Sequence, residues 1–260
     1  MLTEERHAKI LQLLDQNGIV DNAGLVRQFG VSSETVRKDL QLLEGRKKLK
    51  RIHGGAVPVT GAQPVPGAVR EYVPFSKRDL MNQAEKAKIA EKATEYVREE
   101  QSIALDYGST SRQMARALCR KFRSLTVLTN SVQNAMILSE QPGFTVILTG
   151  GILQRDEYSL VNDFSSMLNH LHIDLLFLSV SGIDPVIGCT DQRMTEVTVQ
   201  NQLRLAAGKT IVLADSSKFG KASLVKICSL KEVQAIITDD GLPEDMQQKI
   251  SATGVNLVIA

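Results

Sequence analysis

The six residues "DYGSTS", Asp106–Ser111, bring a carboxylate, a glycine and three hydroxyl groups together. They follow a short apolar run typical of a strand and open an interval, Ser111–Arg120, that can hold a helix. A glycine and hydroxyls at a helix start offer backbone N–H groups and side-chain donors to an anion. A helix cap would account for one of the hydroxyls but hardly for three. The stretch therefore indicates an anion site, and it is not a Walker loop because no lysine follows the glycine.

A second group of chemically active residues is basic and lies between Arg37 and Arg51. This stretch contains seven basic and two acidic residues, while the whole chain has a net charge of only +2. A charge run is usually a solvated face, but a local excess of this size also suits the phosphates of nucleic acid. The continuation "KKLKRIHGGAVPV" favours the second interpretation, because it pairs two strand-like pieces across a Gly-Gly turn.

Three short helices position this basic stretch. The second fits Asn22–Phe29, and the third begins after Ser32 or Ser33 as its cap. The apolar residues of the third helix fall on one stripe, which leaves its polar and basic residues on the opposite face. Two helices joined by "GVSS" and followed directly by a hairpin predict a winged helix-turn-helix, in which helix and wing contact DNA.

The stretches "ERHAKILQLLDQNGIV", "FGVSSETVRKDLQLLE" and "LKRIHGGAV" resemble the DeoR-type winged helix-turn-helix of bacterial sugar regulators, over residues 3–57. This resemblance implies that the third helix enters the major groove of double-stranded operator DNA, with Arg37 able to fork onto a guanine and Lys38 contacting phosphate. The expected DNA contacts are Ser33, Thr35, Arg37, Lys38, Lys48, Lys50, Arg51 and His53.

The remainder of the chain predicts a linker and an α/β domain. Residues 58–75 hold four prolines and two glycines without periodicity, as extended linkers do. After a predicted helix at about 82–100, seven short apolar runs alternate with intervals that can hold helices. Such runs favour a mostly parallel sheet covered on both faces. The predicted organisation is a winged helix-turn-helix at 1–57, a linker at 58–75 and an α/β domain at 76–260.

Six of the seven predicted strands end in small or acidic polar residues, such as Asp106, Thr149 and Asp215. Turns and helix caps explain any one of these loops. Because the carboxyl ends of parallel strands share one edge of a sheet, the whole set is better explained by a polar pocket at that edge.

The stretches "ALDYGSTS", "LTVLTNSVQNA", "VILTGG", "SGIDPVIGCTD" and "VLADSSKFG" resemble the sensor domain that follows the winged helix in DeoR-type proteins, which is similar to sugar-phosphate isomerases and deaminases. By position, the resemblance implies that Gly108, Ser109, Thr110 and Ser111 hold a phosphate. It places Asp106, Gly150, Gly151, Asp184 and Lys218 around the sugar. Cys189 stands where leucine is usual in this family, and Gln200 stands where lysine is common.

Two functions from different classes fit these features. The first is a transcription regulator, a repressor of carbohydrate utilisation whose DNA affinity a phosphorylated sugar controls. The second is a sugar-phosphate isomerase or deaminase with a DNA-binding appendage, and a DNA-architectural protein is a third, weaker fit because it would not use the pocket. An enzyme needs a base and a proton shuttle. Carboxylates are available, but no histidine falls at a predicted strand end, which favours a sensor without catalysis.

The composition adds expectations about partners and location. Cys119, Cys189 and Cys228 are widely spaced without a CxxC pair, which predicts reduced thiols in a cytoplasm and no structural zinc site. No apolar run is long enough for a membrane span, and no cofactor or metal is expected. A single winged helix covers too little DNA for high specificity, so we expect a homo-oligomer, either a dimer or a tetramer.

Overall fold

The computed structural model of the chain describes residues 3–17, 20–46, 48–52, 55–58, 72–161, 168 and 170–260. The chain divides into two units, Met1–Ala68 and Val69–Ala260. Most of the predicted linker, residues 58–75, lies outside the described residues. Its last residue, Phe75, is buried and begins a helix, so the packed part of the second unit starts before residue 76.

The described residues of the first unit form three helices and a small antiparallel sheet, in the order the sequence predicts. Its elements are α1 (Thr3–Asn17), β1 (Val20–Asp21), α2 (Asn22–Phe29), α3 (Ser33–Gly45), β2 (Leu49–Ile52) and β3 (Gly55–Pro58). The strand order is β1-β3-β2. The β2–β3 pair is the predicted wing, with Ile52 opposite Gly55 at the end of its register.

Local sequence explains where α3 begins. Gly30 has a φ of +64°, in the left-handed region that favours glycine. Its N–H donates to the Val26 carbonyl at 3.0 Å, which ends α2. The Ser32 side chain then accepts the Thr35 N–H at 3.2 Å, so Ser32 is the cap of α3. The predicted stripe of Val36, Leu40 and Leu43 is buried in the core of this unit.

Where the structure describes it, the second unit is built on a seven-stranded sheet and has two smaller sheets. Its strands, in chain order, are β4 (Ser102–Leu105), β5 (Leu125–Thr129), β6 (Phe144–Leu148), β7 (Ile152–Gln154), β8 (Ser159–Val161), β9 (Ile173–Ser179), β10 (Gly182–Asp184), β11 (Gly188–Asp191), β12 (Ala207–Leu213), β13 (Val225–Cys228), β14 (Ala235–Thr238) and β15 (Asn256–Ile259). The large sheet has the order β15-β14-β12-β9-β4-β5-β6, and every neighbouring pair in it is parallel.

Helices cover both faces of this sheet, as the sequence predicts. They are α4 (Phe75–Leu80), α5 (Gln83–Ala93), α6 (Ser109–Lys121), α7 (Val132–Leu138), α8 (Met194–Ala206) and α9 (Glu244–Ser251). Alternate residues of β9 enter different cores: Leu176 and Leu178 pack with α8 and α9, whereas Leu175 and Phe177 pack with α5, α6 and α7. The fold is therefore α/β with three layers, and it confirms the predicted class.

Three features of the second unit differ from the sequence-based expectation. The helix expected at about 82–100 ends at Ala93 and continues only as a 3-10 turn, Thr94–Tyr96. Thr94 donates its hydroxyl to the Glu91 carbonyl at 2.6 Å at this point, and Val97 is extended. The hairpin β7–β8 and the antiparallel sheet β10-β11-β13 were not predicted, because their strands are short and lie within intervals that also hold loops and helices. No helix in the described ranges is long and apolar enough to cross a membrane.

Candidate ligand site and nucleic-acid interface

The candidate ligand site lies where the order of the parallel sheet reverses. The chain runs outward from β4 through β5 to β6, then returns to the other side of β4 with β9. Such a reversal opens a crevice at the carboxyl ends of the two central strands, where ligands bind in open α/β sheets. Asp106 follows β4 directly and Ser179 ends β9, so both residues lie at the carboxyl ends of the two strands between which the order reverses.

Asp106 is completely buried and accepts hydrogen bonds on both carboxylate oxygens. Its Oδ1 accepts the Gly108 N–H at 3.2 Å and the Ser111 hydroxyl. Its Oδ2 accepts the Ser179 N–H at 2.8 Å and the side-chain amide of Gln200 at 3.2 Å. The carboxylate therefore holds together the loop after β4, the end of β9 and helix α8.

The electrostatics of Asp106 follow from this burial. Removal from water raises the pKa of Asp106 to about 6, although the hydrogen bonds from Ser111, Ser179, Gly108 and Gln200 oppose the rise. In the described part of the chain, the hydrogen bonds to this carboxylate come from neutral groups. The site is thus a buried carboxylate held by neutral donors.

Gly108 is required by space at the start of α6. A Cβ atom at this position would lie 2.1 Å from the Ser179 Cβ and 2.2 Å from the Ser179 Oγ. Its backbone is extended, with φ −65° and ψ 157°, so conformational freedom is not the reason for glycine here. The loop after β4 approaches the end of β9 so closely that no side chain fits between them.

The three hydroxyls after Gly108 have different environments. Ser111 is fully buried and bonded to Asp106 and, at 2.9 Å, to the Ser179 hydroxyl. Its hydroxyl is therefore part of the scaffold. Ser109 and Thr110 lie in the first turn of α6 and are also buried, but within the described residues their hydroxyls make no side-chain hydrogen bond. They are the hydroxyls best able to donate to a bound anion.

The structure also brings residues to this site for which the sequence predicts no contact with Asp106. The Gln200 amide nitrogen lies 3.3 Å from Asp191 Oδ2 as well as 3.2 Å from Asp106, so it bridges two buried carboxylates. The Tyr107 hydroxyl donates to the same Asp191 oxygen at 3.0 Å. Gln200 Oε1 is buried and has no hydrogen-bond partner among the described residues. The only sequence signal was that Gln200 stands at a position where lysine is common.

Gly150, Gly151 and Asp184, predicted to surround the sugar, have structural roles that need no ligand. The two glycines follow the edge strand β6 with φ of +77° and +113°, a backbone conformation that residues with a side chain rarely adopt. Asp184 ends β10, and its Oδ1 accepts the N–H groups of Val186 at 2.8 Å and Ile187 at 2.9 Å in the turn before β11. The hydrogen-bond network of Asp106 reaches Asp191, at the end of β11, rather than Asp184.

Lys218 belongs to a different polar cluster at the same edge of the sheet. It closes the 3-10 turn Ser216–Lys218 after β12, beside Asp215 and Lys86. Burial alone would raise the pKa of Asp215, but Lys218, Ser217, Lys86 and Asn82 together lower it. The charge of Lys218 therefore stabilises the Asp215 carboxylate.

A partly buried ion pair anchors the start of the second unit near the site. The Arg78 guanidinium of α4 pairs with Glu157, and the Tyr72 hydroxyl donates to the same carboxylate. Arg78 also lies 6.0 Å from the ring centroid of Tyr107, whose hydroxyl binds Asp191. The first described residues of this unit are thus connected to the Asp106 network through Tyr107.

In the first unit, the predicted DNA-contact residues differ in how they are held. Arg37, Lys38 and Lys48 are exposed, and Arg37 lies 3.4 Å from Glu34 in a surface pair. The Thr35 hydroxyl is 2.9 Å from the Ser32 hydroxyl at the helix cap, and Ser33 is exposed beside it. Ser33, Thr35, Arg37 and Lys38 lie at the start of α3 and along its solvent side, whereas Lys48 lies between α3 and β2.

The wing residues are described only in part. Arg51 is held against Glu44, which accepts its backbone N–H at 2.8 Å and lies 4.0 Å from its guanidinium. Lys50 lies in strand β2, opposite Val57 of β3. His53 lies outside the described residues.

A buried polar cluster joins α1 to α3 behind this surface. Asp39 accepts hydrogen bonds from Arg6 at 2.5 and 3.0 Å and from His7 at 2.9 Å. Burial alone would raise the pKa of Asp39, but the hydrogen bonds and charges of Arg6 and His7 outweigh it and lower the pKa. Asp39 therefore fixes the orientation of the third helix against the first, a role the sequence did not suggest.

The described histidines do not serve the ligand site. His7 is buried in the first unit, and His170 and His172 are exposed before β9, at the opposite end of that strand from Ser179. The described residues also contain no group of histidine, cysteine and carboxylate side chains placed to hold a metal ion.

A winged helix-turn-helix followed by an α/β unit with a buried polar network at the carboxyl ends of its parallel strands is the architecture of a ligand-responsive DNA-binding regulator. Two family models match the chain: the DeoR-like helix-turn-helix domain over residues 6–61 and the DeoR C terminal sensor domain over residues 81–240. The chain belongs to the DeoR family, and it is a DNA-binding transcriptional regulator rather than an enzyme.

Curated relatives match along the whole chain. It is 34% identical to the HTH-type transcriptional regulator GlpR of Haloferax volcanii, over 99% of this chain and 98% of that one. It is 32% identical to the HTH-type transcriptional regulator GolR of Listeria innocua, over 100% of both chains. It is 27% identical to the glycerol-3-phosphate regulon repressor of Escherichia coli, over 99% of both. A solved ribose-5-phosphate isomerase with phospho-erythronic acid is 19% identical over 53% of this chain and 54% of that one, with a TM-score of 0.41.

Proposed function

We propose that this regulator represses a carbohydrate-utilisation operon and that a phosphorylated sugar, bound at the start of α6, controls its affinity for DNA. The observation that carries the proposal is the pair of hydroxyls of Ser109 and Thr110, buried at a helix N-terminus beside the strand ends where the sheet order reverses. Backbone N–H groups and the positive end of the helix dipole favour a phosphate at such a position. A relative that is named a glycerol-3-phosphate regulon repressor supports a phosphorylated effector.

The proposed ligand contacts divide into donors and scaffold. Ser109, Thr110 and the adjacent N–H groups would bind the phosphate, while Asp106, Gly108 and Ser111 keep the loop in place. A polyol can both donate to and accept from the polar groups nearby. Gln200 Oε1, which is buried without a partner in the described part of the chain, would accept one sugar hydroxyl.

The experiment for this proposal is a titration of operator binding with wild type and Thr110→Ala. A panel of sugar phosphates would be added, together with the matching free sugars and inorganic phosphate. We expect a sugar phosphate to change DNA affinity and the free sugar to be a poor substitute. Thr110→Ala should weaken effector binding by about 1.5–3 kcal/mol, because it removes one hydrogen bond to a charged group. DNA affinity without effector should be unchanged.

The matched control for Thr110 is Thr198→Ala, since Thr198 is an exposed helical threonine whose hydroxyl donates to the Met194 carbonyl at 3.0 Å. This variant should respond to the effector as wild type does. Linkage adds a second readout, because DNA must change effector affinity by the same factor as the effector changes DNA affinity. An unaltered response of Thr110→Ala would mean that the loop only caps α6.

We propose that α3 contacts the bases of the operator and that the turn before the wing contacts its phosphates. Arg37→Ala should lower operator affinity by about 1–3 kcal/mol and relax sequence preference, because arginine binds guanine through two hydrogen bonds. Lys48→Ala should weaken operator and unrelated DNA about equally. It should also reduce the dependence of log affinity on log salt by about 0.9, the value for one phosphate. The measurement is DNA binding at several salt concentrations.

The control for these charge removals is Lys9→Ala, which removes an exposed lysine from α1. It should leave both sequence preference and salt dependence close to those of wild type. A chain lacking residues 1–57 that kept full operator affinity would contradict the assignment. We further propose that the protein acts in the cytoplasm as a homo-oligomer, a dimer or tetramer, because paired half-sites give a regulator its specificity.

A further inference from the structure

Two of the three cysteines are placed opposite each other on neighbouring strands. Cys189 of β11 and Cys228 of β13 are partners in the register of this antiparallel pair. Both are buried, and each thiol shifts the pKa of the other, upward for Cys189 and downward for Cys228. Residues directly opposite in antiparallel strands have Cα atoms about 4.5–5.5 Å apart, and disulfides span about 4.4–6.8 Å. The register therefore already provides the separation that a disulfide needs.

The backbone next to this pair is also close. Gly188 has a φ of +102°, and a Cβ atom there would lie 2.1 Å from the Cys228 carbonyl oxygen. The backbones of the two strands therefore approach each other closely next to Cys189 and Cys228. The register shifts between Cys189 and Thr190, so the pairing is irregular at this point and a small adjustment does not break a regular ladder.

The two thiols differ in how readily they ionise. The hydrogen bond from Cys189 lowers the pKa of Cys228, burial opposes this, and the nearby Arg204 guanidinium lowers it further. Arg204 donates to the carbonyl of Ile227, the residue before Cys228, at 3.3 Å. Since the thiolate is the reactive form, the guanidinium beside Ile227 favours Cys228 as the nucleophile of the pair and Cys189 as the resolving thiol.

We propose that Cys189 and Cys228 form a reversible intramolecular disulfide when the protein meets a low-molecular-weight disulfide. The Cys228 thiolate attacks one sulfur of the reagent, forms a mixed disulfide and releases one thiolate. The Cys189 thiolate then attacks the Cys228 sulfur and releases the second. The two protein thiols are oxidised, the reagent disulfide is reduced to two thiols, and the two protons go to the released thiolates.

This modification site is connected to the Asp106 network by a short path. Asp191 lies two residues after Cys189 on the same strand and accepts hydrogen bonds from Tyr107, Ser181 and Gln200. A bond between β11 and β13 therefore fixes the strand that carries Asp191. The bond itself does not depend on the proposed effector, so its test stands apart from the test of the sugar phosphate.

The test uses the full-length folded protein and 2-hydroxyethyl disulfide, a small uncharged reagent suited to buried thiols. After alkylation of free thiols and proteolysis, mass spectrometry should find the Cys189–Cys228 cross-link. The intact mass should fall by two hydrogens without retained reagent, and dithiothreitol should reverse the change. Circular dichroism before and after the reaction checks that the fold persists.

Matched variants separate the pair from the third cysteine. Cys119 is half-buried in α6, where its thiol donates to the Ile137 carbonyl at 3.5 Å, so Cys119→Ser should leave the cross-link unchanged. Cys189→Leu should abolish the cross-link and leave at most a mixed disulfide on Cys228. The proposal is overturned if wild type keeps the reagent on one cysteine without closing the bond, or if a cross-link involves Cys119. It is also overturned if Cys189 and Cys228 stay reduced in the folded protein while both react in urea.

Discussion

Replacing Asp39 with alanine is expected to lower the free energy of unfolding of the first unit by about 3 kcal/mol and to abolish operator binding. Asp39 is 5% exposed and binds both Arg6 and His7. Its removal leaves the Arg6 guanidinium buried without a carboxylate, and breaking a buried pair typically costs about 3–5 kcal/mol. The lower value applies because this unit is small. Urea unfolding followed by circular dichroism, together with DNA binding, measures the effect.

Two comparisons test the cause of this loss. Glu34→Ala breaks only the exposed pair with Arg37 and should change stability by about 0.5 kcal/mol or less. The double variant Arg6→Met with Asp39→Leu should recover most of the stability, because it removes both buried charges. If Asp39→Ala unfolds at the urea concentration of wild type, the cluster does not hold α1 to α3.

The pH dependence of the Asp39 effect has a defined sign. The pKa of Asp39 is lower in the folded protein than in the unfolded chain, where it is about 3.9. The stabilisation by its ionised carboxylate is therefore fully present above about pH 4. It is lost as the pH falls through the folded value. The difference in stability between wild type and Asp39→Ala should shrink over the same acid range.

Replacing Gly108 with alanine is expected to destabilise the second unit by at least about 1–3 kcal/mol, the usual cost of overpacking, and to remove the effector response. The new Cβ would lie 2.1 Å from the Ser179 Cβ, an atom that no side-chain rotation can move. The loop after β4 must then shift, which displaces the Asp106 hydrogen bonds to Gly108 and Ser179. Unfolding curves and the operator titration measure the two effects.

Two further variants test whether the clash with Ser179 causes the effect of Gly108→Ala. At Gly208, in β12, the nearest atom to an added Cβ is 3.5 Å away, so Gly208→Ala should be tolerated. The double variant Gly108→Ala with Ser179→Gly removes the atoms that clash and should recover part of the lost stability. Equal destabilisation of the single and double variants would show that the contact with Ser179 is not the cause.

The sequence predicts most of the fold because its signals are local. The stripe of Val36, Leu40 and Leu43 and the cap at Ser32 define α3 within a few residues. Buried parallel strands need apolar residues on both faces, so the strands of the large sheet stand out as short apolar runs. The sheet β10-β11-β13 escapes this reasoning, since its third strand joins the other two from about forty residues further along the chain.

The candidate site is predictable only in part, for the same reason. The loop Asp106–Ser111 is recognisable because its chemistry is contiguous in the sequence. Ser179 and Gln200 bind Asp106, and Gln200 also binds Asp191. These contacts depend on the order of the strands and on the position of α8, neither of which can be predicted from residue spacing. Asp39 is a similar case, because its partner Arg6 lies 33 residues away and a carboxylate beside an apolar stripe usually faces solvent.

The hydrogen bonds of Asp106 have a mechanical consequence. Ser111 belongs to α6 and Gln200 to α8, and these helices pack on opposite faces of the large sheet. One carboxylate thus fastens the two outer layers to each other around the end of the sheet. Loss of the hydrogen bond from either Ser111 or Gln200 would break this link between the two layers at that end of the sheet. Two oxygen atoms therefore join helices that the sheet otherwise keeps apart.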